Sequence, residues 1–92
     1  MKRVHLIISG KVQGVYFRQS SKDRADSLGL SGWVRNRHSG VVEAVVEGAP
    51  DAVSAFIEWC HHGPLHARVD SVDCSDGGPV ALSGGFTVRP TA

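Results

Sequence analysis

An α+β domain of βαββαβ order, with two helices on one face of an antiparallel sheet, is the fold class this chain predicts. Three observations carry it. Val4, Leu6 and Ile8 alternate with Arg3, His5, Ile7 and Ser9 near the start of the chain. Two later runs, Arg18 to Leu28 and Pro50 to Cys60, keep their less polar positions at helical spacing. Between them, Ser31 to Arg37 and Val41 to Glu47 are β-rich segments joined by the turn His38-Ser39-Gly40. A half-buried strand repeats every second residue and an amphipathic helix about every 3.6, so the two patterns are separable by eye. With 92 residues, 41% of them hydrophobic, the chain can fill one core and not two.

The elements follow in order. The first strand carries Val4, Leu6 and Ile8 on its buried face and ends at Gly10. The first helix sets Phe17, Ser21, Ala25 and Leu28 on one side, and Gly29 stops it. The hairpin comes next, with Gly40 placed where a positive φ is needed. Pro50 suits the first turn of the second helix, and Asp51 beside it suits the positive end of the helix dipole. Val53, Phe56, Ile57 and Cys60 form its apolar stripe, and Gly63-Pro64 breaks it. In the next strand, Arg68 to Cys74, Val69 and Val72 stand three apart, which predicts a bulge or a start after Val69. Ser75 to Gly85 reads as a glycine-rich loop, and Phe86 to Arg89 as a short last strand at a sheet edge before Pro90. Two helices crossing over one face of such a sheet make a ferredoxin-like sandwich. That topology hosts many functions, so it specifies none.

Composition removes several classes. The formal net charge is +1 and the Lys and Arg residues are scattered, so no polyanion-binding face is indicated. The third strand, Val41 to Glu47, lacks the exposed aromatics with which this topology reads RNA. The apolar run after Met1-Lys2-Arg3 is too short for a signal peptide or a membrane span, and a cytoplasmic protein is expected. Cys60 and Cys74 show neither CxxC spacing nor the density of a disulfide scaffold, and reduced thiols are expected. Gly63 and Pro64 interrupt His61, His62 and His66, which therefore read as surface histidines rather than metal ligands. Trp33 and Trp59 read as packing residues. Strand alternation sends Arg35 and Arg37 to the face opposite Asn36, as solvated charges.

The chemistry concentrates in Gly10-Lys11-Val12-Gln13-Gly14-Val15-Tyr16-Phe17-Arg18. Two glycines bracket a strand-to-helix loop, the geometry in which successive N–H groups converge on an anion. They also fit an ordinary turn followed by a solvated arginine. Against that reading, Arg18 sits at the positive end of the helix dipole, where its charge is unfavourable unless an anion lies between them. The loop lacks the lysine and Ser/Thr of a nucleotide P-loop. Gly10 stands where a thiolate phosphatase keeps its cysteine, and no Asp or His in the loop could take up a phosphoryl group. Water is left as the nucleophile. Asn36, an amide in a segment where asparagine is disfavoured, could accept from that water through its carbonyl oxygen and donate to a phosphoryl oxygen. The alternative for Asn36 is an exposed polar residue near a strand end.

Together, G-x-V-Q-G-V-x-F-R and G-L-x-G-W-V-R-N resemble the signature of the acylphosphatases, small enzymes that hydrolyse carboxyl phosphates. The resemblance extends to Ala25, Gly40, Phe56-Ile57-Glu58-Trp59, Gly63-Pro64, Ala67-Arg68-Val69 and Phe86-x-Val88-Arg89, with Ser39 departing from the aspartate common before the turn glycine. It implies one acylphosphatase-like domain over residues 1–92. Phosphate would be held by Gly10, Lys11, Val12, Gln13, Gly14, Val15, Tyr16 and Arg18, with Arg18 and Asn36 catalytic. The implied substrates are acyl phosphates of the acetyl, carbamoyl or bisphosphoglycerate type. The resemblance further implies a monomer with no cofactor and no metal, inhibited by inorganic phosphate and without nucleic-acid or membrane partners.

Overall fold

Val4, Leu6 and Ile8 are all buried, as their alternation predicts, and they belong to a strand longer than the sequence suggests. In the computed structural model, which describes residues 1–79 and 84–92, the elements are β1 (Lys2–Lys11), α1 (Phe17–Ser27), β2 (Ser31–Asn36), β3 (Val42–Gly48), α2 (Pro50–Cys60), β4 (Arg68–Asp76) and β5 (Phe86–Val88). They form a five-stranded sheet of order β4-β1-β3-β2-β5 with both helices on one face.

β1 does not end at Gly10 because Gly10 is built into the ladder. Ser9 pairs with Ser71 and Gly10 with Val69, leaving Asp70 as the extra residue of a β-bulge. The bulge lies between Val69 and Val72, where their spacing predicts it. Gly10 has φ +126, and a Cβ there would collide with the Arg68 carbonyl oxygen. Only glycine lets the two backbones approach so closely.

β4 also runs further than expected, to Asp76, because Ser75 and Asp76 still pair with His5 and Val4. The first two residues of the expected loop are therefore strand, and residues 80–83 of it lie outside the described residues. β5 is an edge strand, but it lies parallel to β2, so the sheet is mixed. β1 and β2 both run antiparallel to β3, and β4 runs antiparallel to β1. β5 therefore runs opposite to β4 and shares the direction of β1 and β2.

Between sheet and helices lie Leu6, Ile8, Val34, Val42, Val46, Phe17, Val53, Phe56 and Phe86. Each fully buried side chain of this size contributes about 1.5–3 kcal/mol. An aromatic chain fixes the start of α1: Phe17 packs on Trp59 at 5.4 Å between centroids, Trp59 on Phe56 at 6.0 Å, and Phe56 on Phe86 at 5.9 Å. Trp59 is thus a packing residue, as expected.

On the opposite face, Glu43 of β3 is buried and takes three partners. His5 Nε2 lies 2.7 Å from it, Arg35 Nε donates at 2.6 Å and an Arg37 guanidinium nitrogen at 3.1 Å. Burial pushes the carboxyl up, but the hydrogen bonds from His5, Arg35 and Arg37 and the charge of Arg35 outweigh it and hold the pKa at about 2. Arg35 and Arg37 are therefore paired charges rather than solvated ones. Trp33 lies on the same face with two guanidinium groups over its ring, Arg35 at 4.8 Å and Arg89 at 4.6 Å from the centroid.

Candidate active site

The segment from β1 to α1 is shaped residue by residue. Val12 and Val15 point into the protein, 1% and 8% exposed, and anchor the loop at both ends. Between them the Gln13 side chain reaches across to the β2–β3 turn, its Nε2 donating to the carbonyls of Arg37 at 2.8 Å and Val41 at 2.9 Å. The same turn is closed by Arg37 N–H donating to the Val41 carbonyl and Gly40 N–H donating to that of Arg37. Gln13 therefore ties the loop to the hairpin that carries Asn36.

Two left-handed residues complete the loop, Gly14 at φ 74 and Tyr16 at φ 64. Their reversals turn the chain into α1 at Phe17. Tyr16 is the N-cap, with no side-chain hydrogen bond to cap the helix and no acidic residue in its first turn. The first described intrahelical donor is Ser20 N–H, to the Tyr16 carbonyl at 2.9 Å. The amides ahead of it are the free donors of a helix start, an anion-favouring position.

A cavity of about 490 Å³ opens at this point. Val12, Gly14, Tyr16, Phe17, Arg18, Gln19, Asn36 and Val88 line it. Five of the residues singled out in the sequence, Val12, Gly14, Tyr16, Arg18 and Asn36, thus meet in one place. Gly10, Lys11, Gln13 and Val15 do not line it: Gly10 makes the bulge, Lys11 pairs with Arg68, Gln13 makes the clamp and Val15 is packed inside. Phe17, Gln19 and Val88 join the lining without having been singled out as site residues. Arg18 is the charged residue of the lining and forms no ion pair among the described residues.

Asn36 is buried, 9% exposed, not an exposed polar residue at a strand end. It pairs with Val42 of the core, while its neighbour Arg35 pairs with Glu43 on the far face. Its carbonyl oxygen Oδ1 is buried and has no hydrogen-bond partner. Leaving such an acceptor unpaired costs about 1–3 kcal/mol. Here the orphaned atom belongs to a residue lining a cavity beside an arginine. Its backbone is held on both sides, by β3 and by Ala92, whose N–H donates to the Asn36 carbonyl at 3.0 Å.

The other titratable groups lie elsewhere. Cys60 is buried and burial pushes its thiol up to about 12, so it stays protonated; Cys74 is exposed, and both are free. His62 meets Glu58 at 3.4 Å on the surface. Among the described residues no three His, Cys, Asp or Glu side chains group as a metal would require. No helix among them is long and apolar enough to cross a membrane.

The sequence profile of the family described as Acylphosphatase matches residues 4–88. A protein named acylphosphatase from Rubrobacter xylanophilus is 51% identical over 88 residues, which cover 96% of this chain and 80% of that one. The solved structure of an acylphosphatase from Coxiella burnetii superposes with a TM-score of 0.86 at 38% identity, covering 96% of this chain and 92% of its own. That of an acylphosphatase from Bacillus subtilis gives 0.88 at 33% identity, covering 97% and 99%.

Proposed function

The chain belongs to the acylphosphatase family, an acylphosphate phosphohydrolase by that kinship, and from that premise we propose how its own residues carry the reaction. The phosphoryl group sits over the start of α1, held by backbone amides of the loop between β1 and α1, residues 12–16, and by the Arg18 guanidinium. Asn36 Oδ1 accepts a hydrogen bond from the attacking water, and its amide donates to a phosphoryl oxygen. The water oxygen forms the new bond to phosphorus. The bond from phosphorus to the acyl oxygen breaks, its electron pair leaves on the carboxylate, and the proton lost by water passes to a phosphoryl oxygen. Carboxylate leaves readily, so no general acid is needed.

One observation carries this reading: Asn36, whose carbonyl oxygen is buried and unpartnered, lines the same cavity as Arg18 and Gly14. Folding leaves an acceptor without a donor, and a positioned water supplies one. Catalysis is then orientation plus charge stabilisation by groups already in place. The reading takes residues 1–92 as one cytoplasmic, monomeric domain that needs neither cofactor nor metal, competitively inhibited by inorganic phosphate and without nucleic-acid or membrane partners.

The test is hydrolysis of benzoyl phosphate by the purified protein, with a stable phosphate monoester as control. Turnover of the acyl phosphate alone, persisting in excess chelator, is expected. Activity abolished by chelator and restored by a divalent ion would sink the metal-free mechanism.

A further inference from the structure

Four large apolar side chains stand out from the surface among the described residues, and two of them, Tyr16 at 81% exposure and Val88 at 40%, line the same cavity. They come from different elements, the N-cap of α1 and the edge strand β5. We propose that Tyr16 and Val88 form a shelf for the acyl group, selecting substrates whose acyl part is apolar and preferably aromatic. The inference rests on the acyl phosphate reading and names the substrate class within it.

Neither the backbone nor the core accounts for a tyrosine at position 16. Its φ of 64 and ψ of 21 lie in the left-handed region, where glycine sits freely, asparagine readily and a bulky side chain poorly. Its ring is left in water, so it adds little to folding. A strained backbone that presents an exposed aromatic ring at the cavity Arg18 lines points to a ligand.

Size and charge point the same way. The cavity, about 490 Å³, falls within the range of about 300–1,000 Å³ that receives whole small molecules. A phosphoryl group fills only part of such a volume, and Tyr16 and Val88 belong to the same lining as Arg18 and Asn36. Arg18 is the charged residue of the lining, and the phosphoryl group occupies it. An acyl group bearing a second anion would find no further cation there, whereas a ring would find an aromatic face and a branched aliphatic side chain.

The experiment compares kcat/KM for benzoyl and acetyl phosphate in the wild type, Tyr16→Asn, Tyr16→Phe and Val88→Thr. Asparagine tolerates the left-handed backbone, so the first variant removes the ring and keeps the loop. The benzoyl-to-acetyl ratio should fall about tenfold in Tyr16→Asn, stay at the wild-type value in Tyr16→Phe and fall about twofold in Val88→Thr. A ratio unchanged in Tyr16→Asn overturns the shelf, and so does an equal loss on both substrates, which would mean that Tyr16 shapes only the loop. A wild type that hydrolyses neither substrate overturns the acyl phosphate reading itself, a result distinct from an active enzyme with a flat ratio.

Discussion

Asn36 and Ala92 are joined backbone to backbone: the Ala92 N–H donates to the Asn36 carbonyl at 3.0 Å, and the His38 N–H returns to the Ala92 carbonyl at 2.8 Å. With Arg89 N–H donating to the Val34 carbonyl at 2.8 Å, the residues after β5 continue its parallel course along β2. Asn36 is thereby fixed from the β3 side and from the tail side at once.

Removing residues 90–92 should consequently reach the chemistry. Without the tail, the strand end that carries Asn36 is held on one side only, and a misplaced water-orienting group costs turnover more than binding. We expect kcat to fall by about tenfold or more while the inhibition constant of phosphate moves less than about twofold. Wild-type kcat in the truncated protein would show that β3 alone holds Asn36.

What could be read from the sequence was local. The Gly10 to Arg18 run, the alternation of β1, both helices and the bulge near Val69 each leave a mark within a few residues. The long-range links left none. Gln13 belongs to the Gly10 to Arg18 run, and nothing in that run marks its side chain as the donor to carbonyls 24 and 28 positions away. No neighbour of Glu43 in the sequence marks it as a buried ion-pair centre; β1 and β2 bring His5, Arg35 and Arg37 against it. Val88 and Ala92 reach the site only because β5 lies against β2, and that pairing depends on strand order, which alternation does not encode.

Glu43 should govern acid stability. Its pKa is depressed from 4.5 to about 2, so its contribution is present in full above about pH 4.5 and is lost as pH falls toward 2. At about 1.4 kcal/mol per unit, a depression from 4.5 to about 2 is worth at most about 3.5 kcal/mol. Urea unfolding followed by circular dichroism should show stability dropping across that window. Glu43→Gln should flatten the drop and lower stability at neutral pH, where Arg35 and Arg37 would lose their partner. An unchanged acid slope in the variant would assign the loss to other carboxylates.

Gly14 separates backbone from space. A Cβ there meets no atom within 4 Å, but φ is 74, so the constraint is conformational. Gly14→Val should weaken phosphate binding by about tenfold, the scale of about 1–2 kcal/mol for a left-handed L-residue. Gly14→Asn should lose much less. Equal losses in calorimetric titrations with phosphate would point to the side chain's bulk instead.

Arg18 and Asn36 should part in their kinetics. Arg18 holds the phosphoryl group in both ground and transition states, so Arg18→Gln should lose phosphate affinity and turnover together. Arg18→Lys should restore little, because an ammonium cannot reproduce the planar fork of donors. Asn36 acts on water, so Asn36→Ala should keep near-normal phosphate affinity while kcat falls by about 100-fold or more, the scale of removing one positioned transition-state group. The structure adds a point about stability. Alanine at 36 also deletes an orphaned buried acceptor, which offsets part of the packing lost, so the variant should unfold within about 1 kcal/mol of the wild type. Asn36→Asp keeps the shape but places a second negative charge beside the phosphoryl group, and should lose both affinity and turnover. Wild-type turnover of acyl phosphate by Asn36→Ala would remove Asn36 from the water-orienting role and leave catalysis to Arg18 and the loop amides.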